Sequence, residues 1–572
     1  MRVHWFEGMR RDLLGRLPHY LDDWTHPFSS LRTLSKVIAS VVFMFFSSTI
    51  PAITFAAFLI TATNNQYGVV EVLLSTAIAG VAWSILAGQP LVIIGVTGPV
   101  SIFSRTIYQL TSQYFNIPFL PFMFWIAFWS GLMHMALAAM NACDFIHLFT
   151  RFSCENFDLI IAVIYIYTGV SNLVDVFRTK TIQESLLSLI LALSTFYIAH
   201  LLASARHSII FNRTIRDLLA DYALPVSVTL LSTLRLAPPT QDVPVSLLQV
   251  PSTFRPSDGR SSWLVNVTDV PVWAVFLAII PAIVLTILFF FDHNVSSLLA
   301  QTHKYNLKKP SSYNLDFFLE GTLLICTSLI GIPFYNALIP QAPLHTRSLA
   351  HIREEEFEDE ITGRTLKREV VTHVEEQRLS NFLQSFLCFL CVLPGILQIL
   401  GGIPTAVLSG LFLYMGSTSF KGNSLVERVL VILFVFSEKH RSRMAPHSWP
   451  AIRAAKVPFR KVVLFTAVQV VFVVVVIIIM ESVAALAFPI FILLMLPTRS
   501  YLIPSVKLFG PLAPTSRELN ALDGGEEDFD DSKPVEAELS QMELTRVSEK
   551  SSQVFGECEA EDLEGDEQRA EV

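Results

Sequence analysis

Two prolyl motifs are the first residues of this sequence whose types and spacing suggest chemistry. Thr97-Gly98-Pro99 and Gln341-Ala342-Pro343 each place a polar residue and a small residue directly before a proline. Each proline follows an extended run (LVIIGVTG or YNALIPQA) and precedes a short apolar segment. Because proline is tolerated in the first turn of a helix but not in its interior, each motif predicts a short helix that starts at its proline.

Such half-helices, if they start at mid-membrane, can bind an anion. The unpaired backbone N–H groups and the macrodipole give each amino terminus about half a positive elementary charge. Two such termini that face each other bind a small anion without a metal ion. Irregular backbone at this depth must line a cavity or be buried in protein. The alternative is that Pro99 and Pro343 only kink packed helices, although kinks explain neither the paired positions nor the shortness of the segments.

Asp292 is the second candidate, because it closes the apolar stretch Val270–Ser297. An ionisable side chain at membrane depth costs about 2.5–3.5 kcal/mol on insertion scales, so it usually faces a cavity, a partner or a substrate. The alternative is an ordinary acidic residue at a helix end near the water interface. Beside an anion, Asp292 could take up a proton or accept hydrogen bonds from hydroxyl groups of a substrate such as borate.

Arg347 lies four residues after Pro343, about one helical turn into the same segment. Its guanidinium could approach the anion or Asp292, or it could snorkel from a helix end. No cofactor, metal or nucleic-acid partner is predicted, and the six cysteines show no metal-type clustering.

The elements that must position these residues are membrane helices. The chain has 572 residues, 52% of them hydrophobic and 16% charged, and its mean hydropathy of +0.52 is too high for a soluble protein of this size. We predict an all-α polytopic membrane protein with about fourteen crossings and an interfacial helix near 425–437. The predicted crossings lie near residues 34–62, 69–88, 99–114, 119–141, 157–177, 182–204, 219–235, 271–297, 316–336, 339–350, 380–400, 402–419, 462–480 and 482–503.

Composition divides the chain into three parts. Residues 1–33 are basic and are expected at the cytoplasmic membrane surface. Residues 34–510 form the predicted transmembrane domain, in which a proline- and serine-rich external loop separates two halves. These three pieces are 34–235, 236–270 and 271–505. Residues 511–572 are predicted to be a disordered acidic cytoplasmic tail, and the charged segment Arg353–Arg378 is not expected to fold alone.

Basic loops set the predicted orientation. Lys and Arg gather in the N-terminal segment and in three loops, at 206–216, 304–309 and 439–461, which predicts that all of these are cytoplasmic. Fourteen crossings then place the loop 236–270 outside. That loop contains Asn266-Val267-Thr268, so Asn266 is a candidate for glycosylation.

The two halves are weakly similar. Ile50-Pro51-Ala52-Ile53 recurs as Ile280-Pro281-Ala282-Ile283, each within the first long apolar segment of its half. Seven crossings per half is an odd number, so similar halves must be inverted relative to each other, and an inverted repeat with broken helices is typical of transporters. An enzyme is not expected, because the apolar segments contain no H-E-x-x-H motif and no paired aspartates.

A series of ordered motifs runs through both halves: TIPAITF (Thr49–Phe55), LLSTAIAG (Leu73–Gly80), AGQPLVIIGVTGPVSIF (Ala87–Phe103), FFFDHNVSSLL (Phe289–Leu299), GIPFYNALIPQAPLHTRSLA (Gly331–Ala350), VEEQRLS (Val374–Ser380) and IPTAVLSGLFLYMGSTS (Ile403–Ser419). With these motifs the chain resembles the anion exchanger and bicarbonate/borate transporter family, solute carrier family four, over about residues 34–505. Within that family it looks closest to the borate exporters of fungi and plants.

The resemblance implies two inverted seven-segment repeats, core and gate domains, a homodimer and elevator-like movement. It implies a substrate site between the third, eighth and tenth segments, with Asp292 as the coupling residue. The matching positions are Thr97, Gly98, Pro99, Asp292, Gln341, Pro343 and Arg347. Two departures concern ion coupling: Ser104-Arg105 stands where animal exchangers carry paired glutamates, and plant borate transporters commonly have lysine at the position of Arg347.

The leading expectation is a secondary active transporter in lipid membrane that exports borate across the plasma membrane, with the vacuolar membrane as a second location. Bicarbonate or chloride/bicarbonate exchange is the alternative within the same class. A scaffold that acts through the acidic tail is the alternative from another class.

Overall fold

The computed structural model describes residues 5–148, 150–208, 210–238, 240–358, 365–434, 441, 445, 449–480, 482, 485–505 and 509–523. Within these ranges, eighteen α-helices precede residue 435: α1 (Glu7–Arg16), α2 (Tyr20–Thr25), α3 (Leu31–Ala62), α4 (Val69–Leu86), α5 (Gly98–Gln109), α6 (Phe119–Ala139), α7 (Arg151–Thr179), α8 (Ile182–Ser204), α9 (Arg213–Asp221), α10 (Ala223–Leu234), α11 (Val272–Leu277), α12 (Ile279–Ala300), α13 (Asn314–Ser328), α14 (Gln341–Leu349), α15 (Leu379–Leu390), α16 (Pro394–Leu400), α17 (Thr405–Ser419) and α18 (Ser424–Phe434). Further helices are Trp449–Ala454, Phe459–Met480, Phe488–Pro497 and Ser516–Leu522.

Each predicted crossing contains a helix, but not every helix is long enough to span a bilayer. Within the described ranges, eight helical stretches pass a test of length and hydropathy. Two bent pairs, α9 with α10 (70°) and α15 with α16 (83°), raise the number to ten if each pair is one span. The number of fourteen crossings therefore stays a prediction.

The packing of the helices is reciprocal between the two halves. In the first half, α3 and α4 pack against α15 of the second half. In the second half, α12 and α13, which correspond to α3 and α4 in order, pack against α6 of the first half. A second group of helices is built around α17, which packs against α7 and α8.

Four strands among the described residues, two of them only two residues long, qualify the all-α prediction. Strands β1 (Ile94–Gly95) and β2 (Asn336–Ala337) lie in the two extended runs that precede α5 and α14. They pair antiparallel, with Ile94 opposite Ala337 and Gly95 opposite Asn336. This pairing supplies hydrogen-bond partners to backbone that helices cannot satisfy. It also places the starts of the two half-helices next to each other.

The charged segment that was not expected to fold contains an antiparallel hairpin of β3 (Ala350–Glu358) and β4 (Thr365–Val374). The hairpin is attached to the protein at its base. The ammonium of Lys36 donates to the carbonyl of Ala350 at 2.6 Å, and the backbone N–H of Glu375 donates to the carbonyl of Leu349 at 3.1 Å. The number of charges in the segment cannot predict these hydrogen bonds, because they join the segment to residues elsewhere in the chain.

The N-terminal segment packs onto the protein instead of only lying on the membrane. Asp12 is buried, and its Oδ2 accepts from the backbone N–H groups of Tyr313, Asn314 and Leu315 at 2.8–3.1 Å. These N–H groups belong to the first turn of α13 and the residue before it, so Asp12 caps that helix with its negative charge. The cytoplasmic side of this segment stays a prediction.

Residues beyond 510 are partly ordered, although disorder is predicted from residue 511. The helix Ser516–Leu522 is tied to the membrane domain by Lys461–Glu518 at 2.7 Å and Arg499–Asp523 at 2.6 Å. The rest of the predicted tail, 524–572, lies outside the described residues. In the predicted external loop, Asn266 is exposed, and its Oδ1 accepts from the hydroxyl of Thr268 at 2.8 Å. Glycosylation of Asn266 stays a prediction.

Arg378 joins the N-terminal segment to the carboxyl end of α4. The guanidinium is buried and lies 3.1 Å from the carboxylate of Asp23, which is also buried. Nη1 of Arg378 donates to the carbonyls of Ser84 at 3.0 Å and Ala87 at 2.6 Å. A cation therefore caps the negative end of the helix dipole.

Arg378→Met should lower the free energy of unfolding by about 1.5–3 kcal/mol, because hydrogen bonds to a charged group are lost while the buried Asp23 remains. Chemical denaturation in detergent micelles measures the change. Arg353→Met is the matched control, since Arg353 is exposed, and its effect should stay within about 0.5 kcal/mol. Equal stability of the two variants would contradict the assignment.

Candidate functional site

A cavity of about 370 Å³ lies where the half-helices, α3, α12 and the α17 group meet. Its walls include four of the predicted site residues: Thr97, Pro99, Asp292 and Gln341. The other walls come from α7, the turn after α8, α9, α10 and α17. The volume exceeds that of a small inorganic anion and falls at the lower end of the usual range for ligand pockets.

The first half-helix begins at Gly98, one residue before the predicted start at Pro99. Thr97 is the N-cap of α5, and Gly98 and Pro99 are its first residues. The carbonyl of Thr97 accepts from the backbone N–H of Ser101 at 3.0 Å and from its hydroxyl at 2.9 Å. In the described part of the protein the buried hydroxyl of Thr97 has no hydrogen-bond partner. A donor at the wall is therefore available to a ligand.

The second half-helix begins earlier than the predicted start at Pro343. α14 starts at Gln341, and the backbone N–H of Ala342 donates to the carbonyl of Leu338 at 2.9 Å. Pro343 is thus inside the first turn, which its fixed φ tolerates, and it is not part of the cavity wall. Gln341 lines the cavity and donates through Nε2 to the carbonyl of Ser47 at 3.1 Å.

Asp292 is buried within α12, eight residues before that helix ends at Ala300. The residue is only 2% exposed. This excludes the alternative that Asp292 is a solvated acidic residue at a helix end. Within the described structure, Oδ2 has no hydrogen-bond partner. A buried carboxyl oxygen without a partner is costly, and a proton or a substrate hydroxyl group can supply the missing donor.

Arg347 does not line the cavity. It lies on an exposed part of α14, within electrostatic range of Asp221 and Tyr305. The cation in the cavity wall is Arg206, which forms an ion pair with Asp221. From the sequence, Arg206 is only one of the basic residues of the loop 206–216, which predict the cytoplasmic side, and it is not a predicted site residue.

Other wall residues were missed because they come from helices remote in sequence. Tyr165 of α7 lies against the start of α5, and its ring packs 5.7 Å from the ring of Phe55. Asp158 lies two turns earlier on α7. Next to Asp292 in the chain, His293 is fully buried, and its Nδ1 lies 3.3 Å from Oε2 of the buried Glu320.

Among the residues that can be described, one group of His, Cys, Asp and Glu side chains is close enough to share a metal ion, and it consists of His351, His373 and Glu375. None of these three residues lines the cavity. The cavity wall offers hydroxyl groups, carboxylates and the backbone N–H groups at the start of α5.

Comparison with known proteins gives one consistent family. The family described as "HCO3- transporter integral membrane domain" matches residues 4–185 and 180–526. Boron transporter 1 of Saccharomyces cerevisiae is 38% identical over 443 residues, which are 76% of this chain and 73% of that protein. Band 3 anion transport protein of Homo sapiens is 28% identical and covers 88% of this chain, which spans 55% of band 3.

A solved structure supports the fold. The transmembrane domain of a cyanobacterium bicarbonate transporter, BicA, aligns with 76% of this chain and 96% of its own chain. The TM-score is 0.50 and the sequence identity 15%. At this identity the likeness concerns the fold, which is that of a mostly helical membrane transporter.

The start of α5 generates a prediction about Gly98. A Cβ at this position would lie 2.9 Å from Cε1 of Tyr165 and 3.6 Å from Cε1 of Phe55, so Gly98→Ala must displace the tyrosine or the half-helix. We expect anion flux in liposomes to fall about tenfold, the equivalent of an overpacking cost of ~1.4 kcal/mol. The matched control is Gly395→Ala, since no atom lies within 4 Å of its added Cβ. Unchanged flux in Gly98→Ala would show that this contact does not matter.

Proposed function

This chain belongs to the HCO3- transporter family, solute carrier family four, and from that premise we propose that it is a secondary active transporter that exports borate across the plasma membrane. The observation that carries the proposal is the cavity that joins the start of α5, Gln341 of α14 and Asp292, whose Oδ2 has no hydrogen-bond partner among the described residues. The similarity to a yeast boron transporter supports borate as the substrate.

The chemistry of the cavity suits an anion that carries hydroxyl groups. The amino terminus of α5 offers backbone N–H donors and a partial positive charge to an anionic oxygen. Asp292 offers acceptor oxygens, which a chloride ion cannot use because it has no hydrogen to donate. Borate carries hydroxyl groups that satisfy both kinds of partner. Bicarbonate carries one hydroxyl group and is the second candidate, with chloride/bicarbonate exchange as the corresponding activity.

The position of the cavity supports the proposal of alternating access. Residues of α5, α12 and α14 contribute to its wall together with residues of α7, α10 and α17. Toward one end lie Arg206 and Asp221, whose side chains are 42% and 38% exposed. That end adjoins the basic loop 206–216, so we infer a cytoplasm-facing state. Elevator-like displacement of a core group that contains the half-helices against a gate group around α17 would open the cavity to the other side.

The remaining features of the proposal concern assembly and topology. We propose a homodimer in lipid membrane with both termini in the cytoplasm and Asn266 outside. Reciprocal packing of α3 with α15 and of α12 with α6 supports two inverted repeats. The antiparallel pairing of β1 with β2 supports the same arrangement, because equivalent runs in inverted halves meet in opposite directions.

Purified protein in liposomes tests the substrate. We expect flux of borate that depends on an imposed pH gradient and exceeds the flux of chloride. Cells that lack their own borate exporter should gain boron tolerance when they express this chain. Transport of bicarbonate without borate transport would favour the alternative activity, and unchanged boron sensitivity together with no borate flux would overturn the proposal.

Asp292→Asn separates the two roles of the carboxyl group. Asparagine keeps an acceptor oxygen but cannot carry a proton, so the variant should fold, retain borate binding and lose the pH dependence of borate flux. Flux measured between about pH 5 and pH 8 gives the readout. Asp269→Asn is the matched control, because Asp269 is exposed in the predicted external loop. A normal pH profile in Asp292→Asn would exclude a coupling role.

A further inference from the structure

Three histidines and one carboxylate from distant parts of the chain meet at the base of the β3–β4 hairpin. Nε2 of His351 lies 2.8 Å from Oε1 of Glu375, and Nε2 of His373 lies 3.6 Å from the same oxygen. Nε2 of His26, from the N-terminal segment, lies 2.6 Å from Oε2. Both carboxylate oxygens thus face imidazole nitrogens, and the Glu375 side chain is only 7% exposed.

The geometry of this cluster fits a metal ion. One ligand atom from each of His351, His373 and Glu375 lies within 4.8 Å of the other two. The two imidazole rings are stacked, with centroids 4.2 Å apart and planes 11° from parallel, so one ring must tilt to aim both in-plane nitrogen lone pairs at a shared ion. Zinc takes imidazole nitrogen at about 2.0–2.1 Å and carboxylate oxygen at about 2.0–2.2 Å, which places neighbouring ligands about 3.3–3.5 Å apart in a tetrahedral site.

We propose that His351, His373 and Glu375 form a binding site for a divalent cation of borderline softness, with zinc as the first choice. The ion replaces the proton that His351 shares with Oε1 of Glu375, and that proton is released to solvent. His26 donates a hydrogen bond to the other carboxylate oxygen and orients it, as supporting residues of metal sites do. Solvent supplies the fourth ligand. The sequence predicts no metal site, because the four residues are far apart in the chain. His26 lies in the N-terminal segment, His351 in β3, and His373 and Glu375 at the end of β4 and directly after it.

The site lies at the far end of a half-helix that reaches the cavity. β3 begins at Ala350, directly after α14 ends at Leu349. The backbone N–H of Glu375 donates a hydrogen bond to the carbonyl of Leu349. A bound ion would fix the two strands and the carboxyl end of α14 together. Any effect of the bound ion on transport rests on the proposed function. The binding of the ion itself does not depend on that function.

Calorimetric titration of Zn²⁺ into the full chain, purified in detergent and stripped with a chelator, tests the proposal. We expect one ion per chain, proton release on binding and a rise in the melting temperature. X-ray absorption should show two imidazole ligands. His373→Gln should abolish stoichiometric binding. This variant is expected to fold, because the His373 side chain is 45% exposed and its contact with Glu375 is the longest of the three. His26→Gln should weaken binding by about 10–100-fold.

His19→Gln is the matched control, since His19 lies in the same N-terminal segment as His26 but outside the cluster, and it should bind zinc like the unaltered chain. Equal zinc binding by His373→Gln and the unaltered chain would overturn the proposal, as would an absorption spectrum without imidazole ligands. Failure of the unaltered chain to bind zinc would also overturn it and would leave a hydrogen-bonded cluster only. Because binding is measured without transport, these outcomes are independent of borate flux.

Discussion

The antiparallel contact between Ile94–Gly95 and Asn336–Ala337 is the interaction on which the cavity depends. Both extended runs expose backbone polar groups in a part of the protein where water is scarce, and each run supplies partners for the other. Pairing therefore makes two interrupted segments tolerable and places the half-helices that follow them side by side. Without the contact, neither run could stay extended, and the wall formed by Thr97, Pro99 and Gln341 would not assemble.

Repeat symmetry and its violation have different consequences at this cavity. Both halves supply an interrupted segment. In both, the helices of the first two predicted crossings pack against the helix of the fourth crossing of the other half. The carboxyl group of Asp292 has no counterpart at the matching position of the first half, because the position in α3 that corresponds to Asp292 is Ala62. The backbone donors that could hold an anion are therefore present in both halves, as the repeat symmetry requires. The group proposed to carry a proton or to accept hydrogen bonds from hydroxyl groups, Asp292, depends on a single residue difference between the halves.

Buried charges attach the polar segments to the membrane domain. Asp12 caps α13, Arg378 caps α4 while it pairs with Asp23, and Glu375 gathers three histidines below the hairpin. Asp12 lies at the amino end of α13 and Arg378 at the carboxyl end of α4, where unpaired backbone groups and the macrodipole offset the cost of burying charge. The carboxylate of Glu375 is instead partnered by the imidazole groups of His26 and His351. The N-terminal segment and the hairpin are thus parts of the same folded unit as the helices that form the cavity.

The sequence by itself determined the membrane class, the position of every apolar segment, the two prolyl motifs and the isolation of Asp292, because hydropathy, proline and a lone charge act locally. The tertiary structure decided which residues share the cavity. It brought in Tyr165, Arg206 and Asp221, moved the start of α14 to Gln341 and left Arg347 outside the wall. It also paired strands and assembled His351, His373 and Glu375, since such contacts join residues far apart in the chain and no local pattern encodes their distance.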